Sequence, residues 1–212
     1  YATLSHCWGS MSHIRYQATT STLLSLKERI PYKDLPRTYC DAISVCRALK
    51  IRYLWIDSLC IIQDSKEDWA REAANMAHVY SNSSLTISAD WSTNSDGGCF
   101  KASSGELRKD LDSAIYDHKQ LDWTHLAGRA WVYQERLLSR HNLHFARDQL
   151  FWECRIVSRN RGSIDNALYV WCRIVEKYSG ARITLPTDRL PAISALANLT
   201  ANHPCCSYLA GL

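Results

Sequence analysis

The 212-residue chain has no apolar run approaching the roughly 18 residues that a membrane-crossing helix needs. No membrane span, and no membrane partner, is therefore expected. It has no internal repeat, no GxGxxG or Walker-type glycine loop and no CxxC pair, so a glycine-loop nucleotide fold and a zinc module are unsupported. Basic residues are not gathered into a stripe: the net charge is 25 − 21 = +4, spread along the chain, which argues against nucleic acid as a partner. What is present is a globular composition, 46% hydrophobic and 22% charged, with enough chain for one large domain or two small ones. Nine cysteines and eight tryptophans stand out. The cysteines are odd in number and irregular in spacing, and several, such as Cys46 and Cys60, lie in apolar runs. They are expected to be reduced and buried, as small hydrophobes in a cytoplasmic protein. Residue 1 is Tyr rather than Met, as expected of a domain excised from a longer chain.

The order of elements predicts an α/β fold. A short β-prone stretch, Tyr1 to Ser5, runs into His6-Cys7-Trp8-Gly9. After Pro36, Thr38 with Asp41 resembles a capping box. Tyr39, Ala42, Ile43, Cys46 and Leu49 follow at helical spacing. Residues 51–56 read as a buried strand that ends just before Asp57. Ser65 with Asp68 opens a second helix to about Tyr80, and Leu85 to Ala89 is the next strand. Connections this short between strands and helices imply an open, mainly parallel sheet flanked by helices. Residues 1–91 form the core of this reading, 92–125 a loop-rich insertion, and 126–212 an added hairpin and helical C-terminal part. That last region holds a helix near 129–138, hairpin strands meeting near Arg147-Asp148, and helical patterns at 164–178 and 188–200.

Ligands of open α/β sheets bind beyond the carboxyl ends of the strands. That singles out Ser5, His6, Cys7, Trp8 and Gly9 after the first strand, and Asp57 and Ser58 after the second. These groups could equally bond local backbone, and Asp57 could pair with an arginine such as Arg129. On the second helix, Trp69, Ala73, Met76 and Tyr80 share one face at about 100° per residue. Glu72 falls within that apolar arc, whereas Asp68 and Arg71 fall outside it. A carboxylate there is costly to desolvate unless it is paired, protonated or facing a cavity. Two readings stay open: a salt bridge to an arginine, or a pocket-facing acid of the kind catalytic sites use. Arg129 to Arg136 places Trp131, Gln134, Glu135 and Leu138 on one helix face. An Arg129 or Arg136 pair with a carboxylate such as Asp57, Glu72 or Glu135 would tie the two halves together. Neighbouring Glu and Arg are nonetheless most often solvated helix surface, and this segment alone points to no function.

Taken together, these segments resemble the fungal heterokaryon-incompatibility (HET) domain. Tyr1-Ala-Thr-Leu-Ser-His-Cys-Trp-Gly9 is similar to that family's opening motif. Leu35-Pro36, Asp41-Ala42, Tyr53 to Asp64, Trp69-x-x-Glu72, Met76, Tyr80 and Leu85 to Ala89 resemble its central block. Arg129 to Ser139, Leu143-His-Phe, Phe151 to Cys154 and Asp188 to Ser194 resemble the remainder. The resemblance implies a cytoplasmic domain of non-self recognition that triggers programmed cell death. HET domains are further related at a distance to TIR domains, which implies a TIR-like parallel core and cleavage of NAD to nicotinamide and ADP-ribose. Trp69-Ala-Arg-Glu72 would supply the catalytic carboxylate, Glu72. Ser5, His6, Trp8, Asp57, Trp69 and Arg129 would bind the substrate. NAD would be a substrate, with no bound cofactor and no metal. The competing expectation is a non-enzymatic module of the same pathway, acting through homo-oligomers or other incompatibility proteins.

Overall fold

A computed structural model describes residues 1–10, 16–100, 124–147, 150–154 and 164–201. Five strands form one sheet: β1 (Ala2–Ser5), β2 (Leu54–Ile56), β3 (Leu85–Ser88), β4 (His141–Phe145) and β5 (Leu150–Cys154), in the order β2-β1-β3-β4-β5. β1 pairs in parallel with β2 and β3, β3 in parallel with β4, and β4 antiparallel with β5. The helices are α1 (Leu23–Glu28), α2 (Arg37–Ala48), α3 (Asp57–Cys60), α4 (Lys66–Asn82), α5 (Ala130–Leu138), α6 (Ile164–Ser179) and α7 (Pro191–Ala201). The expected mainly parallel α/β sheet with a terminal hairpin is therefore what forms. β4 and β5 continue the same sheet that β1–β3 begin. The insertion at 92–125 lies largely outside the described residues, as do Asp148 at the hairpin turn and the pair Cys205-Cys206.

Successive side chains of a strand point to opposite faces, and here the two faces are chemically different. One carries Ala2, Leu4, Ile56, Leu85, Ile87 and Phe145, packed on Tyr39, Ala42, Val45 and Cys46 of α2. Burial of each large side chain contributes about 1.5–3 kcal/mol. The opposite face carries Thr3, Ser5, Thr86, Ser88, Asn142 and His144, every one of them buried. Against it lie α4, α5 and α7, whose Met76, Tyr80, Leu138 and Leu196 form a second apolar cluster with Trp55. Buried hydroxyls need partners, and they find them in each other. Thr3 Oγ1 meets Thr86 Oγ1 at 2.7 Å, and Thr86 Oγ1 meets Ser139 Oγ at 2.6 Å.

The helix starts follow the sequence signals unevenly. Ser65 caps α4 as expected, its Oγ accepting from Asp68 N at 3.2 Å. Asp68, outside the apolar arc, is nonetheless buried, its carboxylate accepting from Ile62 N at 2.7 Å and from Arg71. The capping box at Thr38 and Asp41 does not form. α2 starts two residues earlier than such a cap would place it, at Arg37, with Pro36 as its cap. The two side chains instead hold a distant loop: Thr38 Oγ1 accepts from Gly98 N at 3.0 Å, and Asp41 Oδ2 accepts from Cys99 N at 2.8 Å. Residues 51–53 precede the strand, which begins at Leu54. Of the seven described cysteines, all free, Cys7, Cys46 and Cys99 are buried, whereas Cys60, Cys154 and Cys172 are exposed. Cys60 lies in the last turn of α3 beside the β2 edge of the sheet, so its apolar neighbours do not enclose it.

Candidate functional site

β1 is the point at which the chain order reverses. The path runs outward from β1 to β2, then returns to build β3 on the other side. Crevices at such switch points, beyond the carboxyl ends of the strands, are where parallel sheets take ligands. Immediately beyond β1 come His6, Cys7 and Trp8, then Gly9, whose φ of 92° is a left-handed turn that favours glycine.

Ser5, Glu135, Tyr80, Asp57, Trp8, Arg129 and His6 converge there. Ser5, 2% exposed, donates its hydroxyl to Glu135 Oε2. Glu135 comes from α5 and also accepts from the Tyr80 hydroxyl of α4. Burial pushes its carboxyl up to about 7, the charge of Asp57 adds to this, and Ser5, Arg129 and Tyr80 pull the other way. Burial likewise raises Asp57 to about 6, against the charge of Arg129 and hydrogen bonds from Ser58 and Trp8. Trp8 Nε1 lies 3.1 and 2.9 Å from the two Asp57 oxygens and so donates across both. Arg129 is the N-cap residue of α5, and its Nη1 donates to the His6 carbonyl at 2.7 Å. Two carboxyls that hold protons near neutrality, beside one fixed cation, can exchange protons with a bound molecule.

His6 is 3% exposed, and among the described residues neither ring nitrogen has a hydrogen-bond partner. Burial, with the charge of Arg129, lowers its pKa to about 3, so the ring is neutral at physiological pH. It sits edge-on to Tyr39 at 5.2 Å, whose hydroxyl meets Ser58 Oγ at 2.6 Å. Trp69 and Glu72 enter from α4. Trp69 meets Trp131 edge-on at 6.4 Å, which brings the start of α4 beside the start of α5 and Arg129. Glu72, less than one turn further on, is 22% exposed and accepts from Arg71 Nε at 3.1 Å. Of the residues singled out in the sequence, Ser5, His6, Trp8, Asp57 and Arg129 form one cluster, with Trp69 and Glu72 on the adjoining helix face. Among the described residues, no group of three or more His, Cys, Asp or Glu side chains is arranged to hold a metal ion.

The sequence comparison joins this geometry to a family. The family model "Heterokaryon incompatibility protein (HET)" matches residues 1–135, from the residue before β1 to Glu135 itself. The chain belongs to the HET family. No curated protein and no solved structure matches it. Membership assigns the domain to heterokaryon incompatibility, and both ends of the Ser5–Glu135 hydrogen bond lie within the matched segment. No described helix is long and apolar enough to cross a membrane.

The HET domain holds a second polar network that sequence reasoning missed. Glu135 and Arg136 are not solvated helix surface: Glu135 meets Ser5, and Arg136 pairs with a carboxylate as the other reading held, but that of Glu153 on β5, at 2.9 and 3.1 Å. Glu153 accepts from His144 Nε2 at 3.2 Å, and His144 Nδ1 meets Asp90 Oδ2 at 2.8 Å. Burial opposes the charge on His144, but the hydrogen bonds to Asp90 and Glu153 outweigh it and raise its pKa. Burial would raise Glu153 too, yet His144 and Arg136 bring it down to about 2. The available signal was periodicity: Gln134 and Glu135 share a helix face with Trp131 and Leu138, a polar pair on an apolar stripe.

Proposed function

We propose that this HET domain acts in incompatibility by hydrolysing the bond between nicotinamide and ribose in NAD, and that this activity drives cell death. The supporting observation is the gathering of Ser5, His6, Trp8, Asp57, Glu135 and Arg129 at the sheet's switch point, with Glu72 on the neighbouring helix face. In the reaction, the C–N bond breaks and its electron pair neutralises the departing pyridinium. Water adds to the ribose carbon and loses one proton. A carboxylate beside the ribose stabilises the intervening oxocarbenium-like state. Glu72 suits that contact because it is partly exposed, whereas Glu135 is closed in by Ser5 and Tyr80. Asp57 and Glu135 then serve as the proton-holding wall, with Trp8, Trp69 and Arg129 shaping the approach.

The test is nicotinamide release from NAD by the purified chain, both dilute and at forced high local concentration. Folded Glu72→Ala is expected to lose release and toxicity together. Retained cleavage in that variant removes Glu72 from the role, and absence of release from the folded parent chain removes the hydrolase reading. One observation favours the assembly reading: the edge strand β5 leaves Leu150 and Trp152 55% and 53% exposed. On that reading Trp152→Ser abolishes toxicity and self-association, whereas Glu72→Ala leaves both intact.

A further inference from the structure

Arg182, more than fifty residues after Arg129 in sequence, is brought beside it at the start of α5. Residues 129 and 182 form a parallel bridge: Arg182 N donates to the Gly128 carbonyl at 2.7 Å, and Ala130 N donates to the Arg182 carbonyl at 2.9 Å. The two arginines are thereby fixed side by side at the start of α5. Arg129 donates to the His6 carbonyl at 2.7 Å and to the Cys7 thiol, and Arg182 donates to the His125 carbonyl at 3.0 Å. Among the described residues neither forms an ion pair. Each guanidinium carries five donors, so most of this capacity is not used by these bonds. Asp57 and Glu135 face the inner side of Arg129 and offset it in part.

Three further features point to an anion. Both arginines act on the same two groups: burial is the largest influence on the Cys7 thiol and on the His125 ring, and the charges of Arg129 and Arg182 reach both. The positive end of the nine-residue helix α5 opens at Arg129 with no acidic residue in its first turn. The Arg182 guanidinium also lies flat over Gly128. A Cβ built there would stand 2.9 Å from Arg182 Nη2 and 3.3 Å from Nε. The glycine leaves room for that guanidinium.

We infer that Arg129 and Arg182 form an anion-binding pair that takes the diphosphate of a nucleotide at the start of α5. Paired guanidiniums match phosphate oxygens in a planar, forked geometry that a lone lysine does not offer. The anion pair stands on its own geometry, and the assignment to a nucleotide rests on the reading given under Proposed function.

The test is calorimetric titration of the chain with inorganic pyrophosphate and, separately, with ADP. Both are expected to bind, ADP more tightly, and binding should weaken as salt is raised. Arg182→Gln is expected to weaken both by about tenfold or more. Gly128→Ala keeps every charge but displaces the guanidinium, and is expected to weaken both in the same direction. Only the flexible end of Arg182 obstructs the added methyl, so this variant keeps the test open if Arg182→Gln fails to fold. Unchanged affinity in both folded variants overturns the pair. Pyrophosphate binding with no gain for ADP overturns the nucleotide assignment. Arg182-dependent binding without nicotinamide release upholds the pair and defeats the hydrolase reading. Release whose KM is indifferent to Arg182 does the reverse.

Discussion

The two faces of the sheet are buried to the same degree but built on different principles. The face toward α2 is aliphatic and aromatic, with Leu4, Ile87 and Phe145 against Tyr39 and Val45. The face toward α4 and α5 presents Thr3, Ser5, Thr86, Ser88, Asn142 and His144, equally shielded from water. The first gains stability from area removed from water, which has no direction. The second gains little net energy per hydrogen bond but fixes geometry, since a buried polar group left unpaired is costly. The site grows from the second face: Ser5 positions Glu135, and His144 with Arg136 positions Glu153. A dry polar layer in this fold is the means by which acids are aimed.

The contrast can be broken most forcefully on the apolar side. Leu4→Ala should destabilise by about 3–5 kcal/mol in urea unfolding, through lost transfer energy and a residual cavity. On the polar side, Glu135→Ala strands the hydroxyls of Ser5 and Tyr80 and should cost about 2–4 kcal/mol, each stranded group falling toward the lower end of the usual penalty. Glu135→Gln keeps a polar amide in place and should cost about 1 kcal/mol. If Glu135→Ala proved as mild as Glu135→Gln, the polar face would not depend on pairing.

A pH titration sharpens the distinction without changing a residue's size. Glu135 and Asp57 bind protons more tightly folded than unfolded, at about 7 and about 6. Their contribution is therefore fully present below about pH 4, the unfolded range for carboxyls. It is lost as pH rises through 6 and 7, because the unfolded chain then binds fewer protons than the folded one. His144, also raised, acts in the same direction, its contribution falling once pH passes above its folded value. Glu153, held at about 2, acts oppositely, its contribution being lost on acidification from the ordinary carboxyl range down through 2. His6, lowered to about 3, opposes this up to the ordinary imidazole range near 6.5. Urea midpoints should therefore fall from about pH 6.5 to pH 8, and Glu135→Gln should flatten that fall. A parent curve flat over this range would contradict the proton-holding role.

The smallest expected effect comes from the hydroxyl ladder. Thr3→Val alone leaves Thr86 short of one partner and should cost about 1 kcal/mol. The double change Thr3→Val, Thr86→Val removes both sides and should recover much of that loss, within about 1 kcal/mol of the parent. A strictly additive double mutant would show that the two hydroxyls act independently.

Several features were legible because they are local. Ser65 with Asp68 announced the start of α4, and helical spacing announced α2, α4, α5 and α6. Ala2-Thr-Leu-Ser5 and Leu85-Thr-Ile-Ser88 were legible as strands, and their alternation matches the two faces that β1 and β3 present. Ser5, His6, Trp8 and Asp57 could be marked as neighbours, since strand ends in a parallel sheet meet at one edge. Thr38 and Asp41 illustrate the limit. Their spacing is that of a local cap, yet they hold residues 98 and 99.

The amino-acid order by itself determined the α/β class, the order of the strands and of the longer helices, the family, and the strand ends singled out as a candidate site. Each of these depends on periodicity, on a motif, or on residues close together in the chain. Only the tertiary structure decided that Glu135 is enclosed between Ser5 and Tyr80, that His144 links Asp90 to Glu153, and that Arg182 stands beside Arg129. Apart from His144 and Glu153, which are nine residues apart on neighbouring strands, those contacts join residues more than fifty apart in the chain. A helical period states which side chains share a face, but not what that face will meet; packing supplies the partner, and with it the charge state.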